Sequence, residues 1–170
     1  MTRLCLRLFV GALMFGSSVA AARAEEGVDS AALATALMHV PLSLQDGVRA
    51  SAARGLPISG KYELEDGVLQ LSVYTTDGKS FHEVIVDHAT GAVAKSDPLH
   101  KADDVRAAQD QVVAMAVAKT SLAAVVDRTV QANAGFRAVG ITPTLKDGRL
   151  LANVTLLRGL TFMTVEQPFD

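Results

Sequence analysis

Catalysis or metal binding in this chain would have to run through four histidines, a single cysteine and a few grouped carboxylates. His82 and His88 flank Glu83 and Asp87, and strand alternation puts both imidazoles on one nominal face, so a bend at Asp87 would bring them together as a metal clip. Their spacing matches no common ligand motif, and a zinc site would need further ligands from elsewhere. They read as solvated strand-end histidines; no metal or cofactor is expected, and His82 and His88 stand as the candidates if a metal binds. His39 falls near a helix end, where an imidazolium suits the terminal carbonyls, and His100 lies in a polar stretch. Ser80 adjoins His82 without a third group to orient the imidazole, and no GxSxG segment is present. Glu63, Glu65 and Asp66 cluster beside a turn and read as a solvated edge. With no phosphate-binding glycine loop either, no catalytic set emerges, and the chain is expected not to be an enzyme.

The elements that carry these residues are legible in the spacing. Ile58, Tyr62 and Leu64 alternate with Ser59, Lys61, Glu63 and Glu65, the period of a strand with one buried face. Asp66-Gly67 is a tight hairpin dipeptide leading into Leu69, Leu71 and Val73. Thr76-Asp77-Gly78-Lys79 supplies a second turn into Phe81–Val86. Ser43 is placed to cap a helix whose apolar face is Leu44, Val48 and Ala52, ending before Gly55.

The same pattern recurs further along the chain. Ser43, Leu44 and Val48 return as Ser121, Leu122 and Val126; Glu65-Asp66-Gly67 returns as Lys146-Asp147-Gly148; and Phe81 and Val84 return as Phe162 and Val165. The second helix places Leu122, Val125, Val126, Thr129 and Val130 on one face before Gly135. Each copy is preceded by an alanine-rich helix, one from Asp29 to His39 and one from Asp103 to Lys119. The spacing therefore predicts an α+β fold of two tandem repeats, each with helices packed on a three-stranded antiparallel β-meander. The polar stretch Ser96–Lys101, which contains Pro98, separates them. The expected units are residues 25–97 and 98–170, with the second more divergent.

The chain has 170 residues, 49% hydrophobic and 20% charged, with a net charge of −2. Such a balance offers no cationic surplus for a nucleic acid. Its start joins Arg3 and Arg7 to an apolar run from Leu8 to Phe15 and a small-residue stretch ending Ala22-Arg23-Ala24, the grammar of a signal peptide over residues 1–24 cleaved after Ala24. The apolar run is shorter than the ~20 residues needed to cross a bilayer, so no stable membrane insertion is expected once it is removed. Cys5 precedes the apolar run, which excludes a lipid-anchored reading, and leaves with the signal. The remaining 146 residues carry 13 basic and 18 acidic groups and no cysteine. A periplasmic or secreted location follows.

From Pro41 to Lys95 the chain resembles a PepSY domain. The resemblance is carried by His82-Glu83-Val84-Ile85-Val86-Asp87-His88-Ala89-Thr90-Gly91-Ala92-Val93, which fits the family's V-D-x-x-T-G-x-V strand exit. Residues Thr120–Asp170 match less closely, keeping Ser121, the Asp147-Gly148 hairpin and Val165. In local terms Asp87, Thr90 and Gly91 are turn chemistry: a carboxylate and a hydroxyl accepting backbone N–H bonds, and a glycine free to take positive φ. The resemblance implies a noncatalytic binding or inhibitory module of the cell envelope, with a peptidase or another envelope protein as partner. A small-ligand or metal-binding sensor and a structural envelope protein are the alternatives. Binding would use an exposed sheet face or a sheet edge that accepts an extended peptide.

Overall fold

A computed structural model describes residues 30–169. The expected signal segment 1–24 with Cys5, and Asp29 at the expected start of the first helix, lie outside the described residues. In chain order the elements are α1 (30–37), α2 (Leu44–Ser51), a 3-10 turn (Ala52–Arg54), β1 (Leu56–Glu65), β2 (Val68–Thr76), β3 (Phe81–Val86), β4 (Val93–Pro98), α3 (Ala102–Met115), α4 (Leu122–Ala132), β5 (Arg137–Lys146), β6 (Arg149–Arg158) and β7 (Thr161–Pro168). The fold is α+β. All seven strands form one antiparallel sheet in the order β4-β3-β2-β1-β5-β6-β7. No helix among the described residues is long and apolar enough to cross a membrane.

Local chemistry accounts for the boundaries. The Ser43 hydroxyl accepts the Asp46 N–H at 3.2 Å and the Ser121 hydroxyl accepts the Ala124 N–H at 3.3 Å, each satisfying a donor that its helix leaves unpaired. The β1–β2 and β5–β6 turns are Asp66-Gly67 and Asp147-Gly148, with φ of 50° and 78° in the first and 51° and 74° in the second. Two successive positive φ angles match the right-handed twist of the paired strands, and a short polar residue followed by glycine adopts them at least cost. Both inner strands are kinked by an irregularity, β1 between Pro57 and Ser59 and β5 between Ala138 and Gly140. They meet through only two residue pairs, Gly60 with Ile141 and Lys61 with Gly140. Bulges next to this seam bend the strands and end the ladder early.

The main core lies on the face that carries Tyr62, Leu71, Val73, Val84 and Val86, continued by Ile141, Ala152, Val154 and Leu156. Fully burying each large aliphatic side chain contributes about 1.5–3 kcal/mol. Leu44 and Val48 of α2, and Leu122, Val125 and Val126 of α4, close this face. Ala52, expected on the apolar stripe of α2, is exposed in the 3-10 turn, and Ser51 is buried in its place with its hydroxyl donating to the Val48 carbonyl. The tighter 3-10 winding rotates position 52 off the α-helical stripe.

Three further expectations change. The first meander continues into a fourth strand, because Val93–Pro98 pairs with β3; Ser96, Asp97 and Pro98 are thus strand, where a polar linker was expected. A single sheet runs through both halves of the chain in place of two separate thin sheets. The second sheet face, expected to be open, is covered at its centre by α3: Ser59, which points away from the α2 side, donates to Gln111 Oε1 at 2.7 Å. Ala108, Ala114 and Met115 of α3 are buried.

Candidate functional site

On the sheet face that α3 shares, beside its first turn, β1, β2 and β3 carry a polar cluster that no single stretch of sequence contains. Register places Lys61 opposite Ser72, Glu63 opposite Gln70, and Tyr74 opposite Glu83, so three strands bring these side chains to the α3 face. The Tyr74 hydroxyl donates to Glu83 Oε1 at 3.3 Å, Gln70 Nε2 donates to the Ser72 hydroxyl at 3.2 Å, and the Ser72 hydroxyl is hydrogen-bonded to the Glu83 carboxyl. Lys61 Nζ lies 2.6 Å from Glu63 Oε2. Asp104, in the first turn of α3, is buried above them. Lys61 and Glu63, expected on a solvated face, have side chains only 34% and 17% exposed because α3 shields them. Asp66 is exposed at the turn, as is the edge beyond it.

Burial sets the electrostatics of this cluster. Desolvation pushes the Glu83 carboxyl above the ordinary carboxylate value, and Glu63 adds to the shift; the Ser72 and Tyr74 hydroxyls and Lys61 work against it. The Tyr74 phenol is raised by burial and then by Glu83, Glu63 and Asp104. Asp104 is raised by desolvation, opposed by Lys101. The arrangement holds a proton at Glu83 more readily than an exposed carboxylate does. Among the described residues no three His, Cys, Asp or Glu side chains are grouped to hold a metal ion.

The residues singled out from sequence are dispersed. His82 sits in the β3 ladder between Thr75 and Pro98, whereas His88 is in the β3–β4 turn. The Ser80 hydroxyl donates to the Asp77 carboxylate in the β2–β3 turn, which commits it to turn structure. Asp87 Oδ1 accepts the Ala89 and Thr90 N–H groups at 2.9 and 2.8 Å, the Thr90 hydroxyl accepts the Ala92 N–H at 3.3 Å, and Gly91 takes φ of 77°. The two N–H donors hold the Asp87 carboxyl below its ordinary value. Glu83, which the sequence placed only as a carboxylate between His82 and His88, has a setting that the pairing of β3 with Tyr74 of β2 reveals.

The two edges of the sheet differ. The six-residue β4 carries Lys95 and Asp97 as an ion pair, ends at Pro98 and is offset by a bulge, the features that discourage another strand from adding. The eight-residue β7 has no bulge, and from Thr161 to Val165 it carries no charge; its one acid, Glu166, is paired with Lys146 at 3.1 Å. The outer backbone groups of β7 face no strand among the described residues. Comparison of the chain with protein-family models, with curated proteins and with solved structures finds no match in any of the three.

Proposed function

We propose that this chain is an exported, noncatalytic polypeptide-binding protein that takes an extended segment of a peptidase or other envelope protein as an added strand on the outer edge of β7. The observation that carries the reading is the contrast between the edges: β4 is blunted by charge, bulge and proline, whereas β7 is regular, uncharged from Thr161 to Val165, and its outer backbone groups pair with no strand among the described residues. Main-chain hydrogen bonds would supply affinity there, and Met163 and Val165, half-buried against the core, would select apolar side chains on the helix-bearing face.

The same proposal treats the scaffold as two PepSY-like units arising from duplication. Supporting this, the bulges at Pro57/Ser59 and Ala138/Gly140 stand 81 residues apart, as do the two Asp-Gly turns, and at the seam Gly60 pairs with Ile141, its own counterpart at that offset.

The test uses the chain from residue 25 onward as bait in envelope extract and against a panel of extracellular proteases, beside a Thr161→Lys/Thr164→Lys variant. Both threonines are exposed on β7, so the variant is expected to fold and to lose partner capture and any protease inhibition. Undiminished binding by the variant, or no specific partner for the wild type, would refute the reading.

A further inference from the structure

We infer that the cavity between the α3–α4 connection and the Asp147-Gly148 end of the sheet is a binding site for a small amphipathic acid, a free carboxylate carried on a compact apolar body. Two cations reach it from distant parts of the sequence. Lys119 lies in the connection just before the Ser121 cap, and the Asp147-Gly148 turn delivers Arg149 as the first residue of β6. Both line the cavity, both are exposed, and neither is ion-paired among the described residues. Lys146, beside the same turn, is by contrast held by Glu166 at 3.1 Å. In a chain whose acidic groups outnumber its basic ones, two uncompensated cations at one cavity favour an anion there.

The walls supply the other half of the recognition. Leu150 and Phe169, both buried, and half-buried Leu151 line the cavity together with Val117, which is 60% exposed. A hydrocarbon body laid against Val117 removes an exposed apolar side chain from water. The carboxylate then accepts the forked N–H groups of Arg149 and meets the Lys119 ammonium as a point charge. Size selects a small molecule. The cavity holds about 250 Å³, below the roughly 300–1,000 Å³ of drug-sized sites, and at about 30 Å³ for each water-sized group it takes roughly eight to ten non-hydrogen atoms. Strand and helix packing does not require the two charges. When the halves are aligned on their capping serines and Asp-Gly turns, Pro41 stands in the place of Lys119 and Val68 in the place of Arg149. The site is separate from strand addition at β7 and does not rest on it.

The experiment is an amide NMR titration of the chain from residue 25 with phenylacetate and with phenylacetamide, which keeps the apolar body and loses the charge. Saturable shifts at residues 117–119 and 148–151 are expected for phenylacetate, with a Kd on the order of 1 mM. Phenylacetamide is expected to bind about tenfold more weakly or worse. Arg149→Val, which installs the residue of the matching first-half position, and Lys119→Ala are each expected to weaken phenylacetate by about fivefold or more while the remaining amide spectrum stays in place. Val117→Asp keeps both cations and charges the apolar wall, so it is expected to abolish binding. Equal affinity for the acid and the amide, unchanged affinity in any of the three variants, or shifts that do not saturate would overturn the inference. A short peptide ending in phenylalanine presents the same chemistry on a polypeptide end, and tighter binding of that peptide than of phenylacetate would overturn the assignment to a free acid.

Discussion

Arg49 of α2 is ion-paired with Asp127 of α4, the residue 78 positions further along the chain. The same offset relates the two capping serines, Ser43 and Ser121, so the helices meet at corresponding places just as the strands do at Gly60 and Ile141. Arg49 is also held by Asp46 at 2.8 Å within its own helix.

Because the side chains of Arg49 and Asp127 are 49% and 35% exposed, solvent screens their attraction. Asp127→Arg is expected to lower stability by about 0.5–1 kcal/mol through like-charge contact, and the exchanged pair Arg49→Asp/Asp127→Arg to recover most of it. A double-mutant cycle by urea unfolding measures the coupling.

A larger effect is expected at Arg137. Its guanidinium donates to the carbonyls of Leu37 at 2.9 Å, Val40 at 3.0 Å and Leu42 at 2.9 Å, and it lies over the Tyr62 ring, whose hydroxyl donates to the same Leu42 carbonyl. Burial raises the Tyr62 phenol to about 12 against the opposing influence of Arg137. Arg137→Met is expected to destabilise by about 2–4 kcal/mol, since three carbonyls at the end of α1 and in the loop after it lose a charged donor. Arg137→Lys is expected to recover less than half, because one ammonium cannot reproduce the planar fork. Thermal melts of both variants decide this.

Gly47 reverses an ordinary rule. Replacing an interior helix glycine by alanine usually stabilises by roughly 0.5–1 kcal/mol. Here a Cβ would stand 2.1 Å from Leu71 Cδ2, and Leu71 is fully buried. Gly47→Ala is expected to destabilise by about 1–3 kcal/mol as α2 is pushed off β2. The companion Leu71→Val, which frees space, should reduce the penalty when combined with it; unfolding midpoints of the single and double variants check both.

Stability against pH is expected to peak in the mildly acidic range. Asp77 and Asp87, each held low chiefly by backbone N–H donors, contribute stability that is present above their ordinary value of 3.8 and lost as pH falls through their lowered ones. Glu83 acts in the other sense: its raised carboxyl favours the folded state at low pH, an advantage lost as pH rises from 4.5 through the raised value. In urea titrations, Glu83→Gln should flatten the alkaline limb and leave the acid limb unchanged, whereas Asp87→Asn should act on the acid limb.

Local signals in the sequence were enough for the elements that local chemistry controls. The serine caps and the Asp-Gly turns act through their own backbone neighbours, so short-range spacing locates them. β4 was hidden because Lys95, Asp97 and Pro98, which suit an unpaired edge, also suit a linker. The position of α3 depended on which sheet face its small residues met, and alanine-rich stripes do not specify a face. The Glu83 cluster depended on register across three strands: Tyr74 and Glu83 face each other only through the β2–β3 ladder. Sequence alternation assigned Glu63 to the correct face but took that face as open to water, because it carried no information about what covers it.

Only two residue pairs join β1 to β5, so what holds the two halves of the sheet together matters as much as the seam itself. Two identical subunits meeting about a symmetry axis must place each axial residue against itself, so an arginine there would confront an arginine. A covalent tether removes that restriction and, by holding the halves at an effective concentration in roughly the millimolar range, lets a weak junction suffice. Unlike residues face each other here, glycine against isoleucine at Gly60 and Ile141 and arginine against aspartate at Arg49 and Asp127, and the intervening chain keeps both contacts intramolecular.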